Sequence, residues 1–64
     1  MLSKLQQELF DLVADFVYND GETYDACMVG YETWEDYLAD LAGNIATMNA
    51  AELRHNIKVW KESE

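Results

Sequence analysis

The stretch Ser3-Lys4-Leu5-Gln6-Gln7-Glu8-Leu9-Phe10-Asp11-Leu12-Val13-Ala14-Asp15-Phe16-Val17 decides the fold class. Its apolar residues Leu5, Leu9, Leu12, Val13, Phe16 and Val17 recur at spacings of three and four. That is the period of an amphipathic helix and not the alternation of a half-buried strand. Ser3 stands where an N-cap belongs, and Gln6 three residues later completes the pairing of a capping box. Asn19-Asp20-Gly21 then predicts the stop.

The same logic repeats downstream. Trp34, Tyr37, Leu38, Leu41, Ile45 and Met48 carry the helical period behind Thr33, with Asp36 as the acidic partner of the cap. Asn49-Ala50-Ala51-Glu52 is a stronger start signal, because Asn49 can cap, Glu52 can reach back and Met48 can staple onto Leu53. A further helix is expected from about Ala50 to Glu62, with Leu53, Ile57 and Trp60 as its apolar positions. Between Glu22 and Glu32, Tyr24, Cys27 and Met28 fit a turn and a half of helix before Gly30. No second alternating run exists to pair with this segment as a strand, so it reads as a short helix. Proline is absent, and Gly21, Gly30 and Gly43 are the main punctuation. The expected fold is therefore an all-α bundle of three helices plus one short connecting helix, a single domain over residues 1–64 with no long linker.

Composition narrows what such a bundle can do. Thirteen Asp and Glu stand against four Lys and Arg, a formal net charge of -9 on 64 residues, while half the chain is hydrophobic and two Trp, four Tyr and two Phe are present. The large apolar residues argue against disorder, which is characteristic of chains that lack them. A domain this small buries only about 60% of the surface its unfolded chain exposes, so its stability margin is narrow. Strong acidity repels phosphate backbones and anionic lipid, so neither direct nucleic-acid binding nor membrane-surface binding is expected. The apolar runs are far shorter than a membrane span needs, and the opening residues carry no signal-peptide pattern. Cys27 is the only cysteine, which leaves no intramolecular disulfide and fits a reducing cytoplasm.

The charge is unevenly placed. Residues 8–40 hold ten carboxylates and no Lys or Arg, whereas Glu52, Glu62 and Glu64 are balanced by Arg54, Lys58 and Lys61. On the first helix Glu8, Asp11 and Asp15 fall on one stripe opposite the apolar face, and Asp36 with Asp40 form a similar pair on the next long helix. Asp20, Glu22, Asp25, Glu32 and Glu35 fill the connection. One reading makes all of these solvated faces that keep a small protein soluble. The other starts from the missing cations. Opposite charges four residues apart stabilise a helix by a few tenths of a kcal/mol and like charges cost about as much, so a long cation-free block points to a surface kept for a basic partner.

Carboxylates at i, i+3 and i+7 lie about 4.5 and 6 Å apart along a helix axis, comparable with phosphates along a strand. A basic groove would meet the two in much the same way, which gives nucleic-acid mimicry a physical basis. Arg-rich sites also stack on aromatic rings, and Tyr and Trp often anchor interfaces. Trp34 and Tyr37 fit the core by their spacing, so Tyr24 and Tyr31 are the aromatic interface candidates. The expected partner-binding set is Glu8, Asp11, Asp15, Asp20, Glu22, Tyr24, Asp25, Tyr31, Glu32, Glu35, Asp36 and Asp40.

The sequence carries no catalytic or cofactor signature. An EF-hand register aligned on Gly21 places Phe16, Tyr18 and Cys27 where oxygen ligands belong. His55 and Cys27 are the sole imidazole and thiol, too few for an ordinary zinc set, and no Gly-rich phosphate loop is present. No enzyme activity, metal or cofactor is expected. As a type, the chain resembles the very small acidic proteins that bacteriophages and mobile elements use to block host enzymes, including anti-CRISPR and anti-restriction proteins. The resemblance rests on size, acidity and missing catalytic machinery. It implies an inhibitor in the host cytoplasm that occupies the basic DNA or RNA site of a defence enzyme as a nucleic-acid mimic. The competing expectation is a homodimeric regulatory or adaptor protein whose acidic face only confers solubility, with Arg54, Lys58 and Lys61 as a small basic ridge available to a second copy.

Overall fold

A computed structural model describes residues 2–62, which form four helices and, among the described residues, no strand. They are α1 (Lys4–Asn19), α2 (Gly21–Met28), α3 (Trp34–Ala46) and α4 (Ala50–Glu62). The all-α bundle with one short connecting helix read from the sequence is the architecture observed.

Polar caps set where each helix starts. The Ser3 hydroxyl accepts from the Gln6 backbone N–H at 3.3 Å while the Gln6 side chain accepts from the Ser3 N–H at 2.7 Å, a complete capping box. Thr33 accepts from Asp36 N–H at 3.1 Å, and Asn49 from Glu52 N–H at 2.9 Å. Asp20 serves two helices at once. Its backbone N–H donates to the Phe16 carbonyl at 3.0 Å, closing α1, and its carboxylate accepts from Thr23 N–H at 3.4 Å, opening α2. One non-helical residue therefore separates the two helices, and Gly21 is the first residue of α2 and not merely a stop after α1.

Two other ends differ in kind. Between α2 and α3, Val29 (φ -60°, ψ 122°) and Gly30 (φ +92°) occupy the centre of a type II turn, with Tyr31 N–H donating to the Met28 carbonyl at 3.0 Å. That turn requires a left-handed residue at its third position, which only glycine adopts without strain. At the end of α3 the apolar repeat would carry the helix to Met48, but it stops at Ala46. The Thr47 hydroxyl donates to the Asn44 carbonyl at 2.7 Å, and the Thr47 and Met48 N–H groups bond three residues back, tightening the last turn. Met48 is left outside the helix, half-buried against the cluster that contains Leu53, which is the staple position before α4.

The core is small and is shared by the three longer helices. Leu9, Val13 and Val17 of α1 meet Ile45 of α3 and Leu53 and Ile57 of α4, and these are the buried apolar side chains among the described residues. Helix α2 contributes none. Half-buried residues complete the packing, with the Phe16 and Trp60 rings edge to face at 5.3 Å between α1 and α4. Cα extents of 30 × 25 × 14 Å make the bundle a slab, with every helix close to solvent on at least one side.

Candidate functional site

The ten carboxylates of residues 8–40 separate by local role once their surroundings are known. Asp20 is half-buried and committed to capping. Glu22 lies in the first turn of α2, and Glu35 and Asp36 in the first turn of α3, where negative charge is favoured by the helix dipole. Asp40 accepts a hydrogen bond from the Tyr31 hydroxyl. Asp25 and Glu32 are exposed. Apart from Asp25 and Glu32, these five, Asp20, Glu22, Glu35, Asp36 and Asp40, stand where capping, the helix dipole or hydrogen bonding accounts for the charge.

Glu8, Asp11 and Asp15 are different. All three are exposed on the side of α1 opposite Leu9, Val13 and Val17, and none lies in the first turn of that helix. They are spaced three and four residues apart, so each neighbouring pair is a like-charge pair that costs helix stability. Among the described residues one ion pair is formed, between Lys61 and Glu8 at 4.0 Å, with both side chains about half exposed. The Gln7 side-chain amide donates to Asp11 at 2.9 Å, and the Asn19 amide donates to Asp15 at 3.1 Å and to the Asp15 backbone carbonyl at 2.7 Å. Neutral amides orient these two carboxylates without neutralising them.

The stripe borders an open groove of about 790 Å³. It is lined by Glu8, Asp11 and Asp15, by the apolar Leu12 and Ala14, by the rings of Tyr18 and Trp34, and by Lys61. Lys61 marks the Glu8 end through its ion pair, and Trp34 marks the other through its contact with Tyr18, ring centroids 5.3 Å apart. From Glu8 to Tyr18 the groove follows α1 for about 15 Å at 1.5 Å per residue. Its volume lies within the range of ligand sites.

Behind its aromatic end stands a packed cluster. Trp34 stacks on Tyr24 at 5.4 Å and on Tyr37 at 5.2 Å, with interplanar angles of 28° and 27°. Tyr18 meets Tyr24 edge to face at 6.0 Å, and Tyr31 meets Tyr37 likewise at 5.5 Å. Burial and hydrogen bonding with the Cys27 thiol push the Tyr37 phenol up to about 12. The Tyr31 phenol is raised from its ordinary value mainly by its hydrogen bond to Asp40.

The tyrosines expected at an interface, Tyr24 and Tyr31, are thus half-buried and engaged by Trp34, Tyr37 and Asp40. The exposed ring is Tyr18, 62% accessible, which sequence reasoning passed over. Its spacing held the signal, because Tyr18 follows Asp11 by seven residues and Asp15 by three and so continues the acidic stripe. Asp25 and Glu32 do not line the groove, and neither do Glu22, Glu35, Asp36 or Asp40.

No known protein family, curated protein or solved structure matches this chain. Among the described residues no group of three or more His, Cys, Asp and Glu side chains is arranged to hold a metal ion, and no helix is long and apolar enough to cross a membrane.

Proposed function

We propose that this protein is a small protein-binding inhibitor that docks its acidic α1 face on the basic nucleic-acid site of a partner enzyme and excludes DNA or RNA by occupancy. The partner class suggested by its size and acidity is a host defence nuclease, with the protein in an anti-CRISPR or anti-restriction role. The supporting observation is the stripe Glu8, Asp11 and Asp15, three exposed carboxylates that serve no cap and lie outside the first turn of their helix, beside an open groove with an exposed tyrosine. The arrangement lowers helix stability, and a basic partner would repay that cost as charge complementarity and faster association.

The test is capture of the partner on immobilised wild-type protein and on the variant E8Q/D11N/D15N, with DNA and RNA added as competitors. Capture that is lost in the variant, weakened by salt and reversed by nucleic acid supports mimicry. Equal capture by both proteins contradicts it. The homodimeric adaptor reading draws on Arg54 and Lys58, which are exposed and make no ion pair among the described residues. Lys61, the third member of that ridge, already reaches Glu8 of its own chain. Sedimentation as a monomer at micromolar concentration would remove the adaptor reading.

A further inference from the structure

We infer that the groove between the acidic stripe and the Tyr18–Trp34 corner is a receptor for one arginine side chain of a basic partner segment, an inference that rests on the docking role proposed above. Three features converge there. Asp11 and Asp15 offer carboxylates already oriented by the Gln7 and Asn19 amides, so a guanidinium entering the groove meets fixed acceptors. Tyr18 presents an accessible ring at the same site, tilted 57° from the Trp34 indole, and a guanidinium is the cation that stacks best on such surfaces. Leu12 and Ala14 supply apolar lining for the methylene stem of a long side chain.

The choice of arginine over lysine follows from geometry. A planar guanidinium can donate two parallel hydrogen bonds to a carboxylate while its face lies against a ring, whereas an ammonium is a compact, strongly hydrated point charge. The choice of a partner's arginine over one from a second copy follows from charge. This chain has four Lys and Arg in all, against a groove in which Lys61 already attends Glu8, while an enzyme that grips nucleic acid is rich in exposed arginine.

Two acetylated nine-residue peptides test the inference, one with three arginines and one with three lysines in an otherwise identical Gly/Ser sequence. Each is titrated into isotope-labelled full-length protein while the Trp34 indole N–H and the backbone amides of Asp11, Asp15 and Tyr18 are followed by NMR. The expected result is that the arginine peptide moves those signals with an affinity about five-fold tighter than the lysine peptide. Tyr18→Ala, at an exposed position, should bring the ratio close to one, and Tyr18→Phe should preserve it. Equal affinities, no binding of either peptide, or shifts centred on Asp25 and Asp36 would overturn the arginine site. Those outcomes leave the docking proposal standing if E8Q/D11N/D15N still abolishes partner capture, and that proposal falls separately if capture survives. Concentration-dependent shifts at the same residues without peptide, removed by R54K, would assign the groove to a second copy and overturn a partner arginine as its occupant.

Discussion

Trp34 stacks on Tyr24 with ring centroids 5.4 Å apart and planes 28° from parallel, joining the first residue of α3 to the middle of α2. Since α2 supplies no buried side chain to the core, this stack and its neighbours Tyr18 and Tyr37 are its main aromatic attachment. Trp34→Ala should therefore lower stability by about 2–3 kcal/mol, below the full cost of a completely buried Trp because Trp34 is half-buried. A domain of this size has on the order of 3–10 kcal/mol in total. Urea unfolding gives the magnitude. Amide hydrogen exchange should show protection falling more in α2 than in α1 or α4, and a uniform loss would contradict the special dependence of α2 on this ring.

Alkaline pH should unfold the protein through the same cluster. The Tyr37 phenol is raised to about 12 from an ordinary 10.0, and the Tyr31 phenol is raised as well. A raised folded value means that the fold favours the neutral phenol. This stabilisation is fully present below pH 10 and is lost as pH rises through the folded value. Far-UV circular dichroism should report destabilisation between about pH 10 and 12 in the wild type. Tyr37→Phe cannot ionise at this position and should show a weaker pH dependence over that window.

Two glycine substitutions should move stability in opposite directions. Gly30 has φ +92°, where a side chain is strained, so Gly30→Ala should destabilise by about 1–2 kcal/mol. Gly43 lies inside α3, and an added Cβ would meet nothing within 4 Å. Gly43→Ala should therefore stabilise by about 0.5–1 kcal/mol through helix propensity alone. Thermal melts of the two variants check both signs.

Much of the fold was legible because its signals are local. Ser3, Thr33 and Asn49 announce three helix starts, and the three-and-four spacing of Leu9, Val13 and Val17 identifies the buried face of α1. The end of α3 was not legible, since the apolar repeat runs on to Met48 while a Thr47 hydroxyl bond to Asn44 ends the helix earlier. The candidate site was legible in its charge and obscure in its aromatics. Asp40 is engaged by Tyr31 across the α2–α3 connection, and Tyr24 is covered by Trp34, pairings that depend on how the helices pack. Tyr18 remains exposed for the same reason, because its stripe of α1 faces away from the core.

The acidic stripe should carry a measurable cost to the fold. Asp11→Lys replaces two like-charge neighbours with opposite-charge ones at i-3 and i+4, so it should stabilise the isolated protein by about 0.5–1 kcal/mol while weakening docking. Lys61→Ala should change stability by less than about 0.5 kcal/mol, since its ion pair with Glu8 is long and exposed. A matched set of urea titrations checks both values, and a destabilised Asp11→Lys would show that the carboxylate supports the fold.

The most direct measurement combines stability and binding in one variant. E8Q/D11N/D15N should unfold at the same or a higher temperature than the wild type, because like-charge repulsion along α1 is removed. Partner capture by the same folded variant should be lost in a pull-down at physiological salt. Undiminished capture would contradict a docking role for this face.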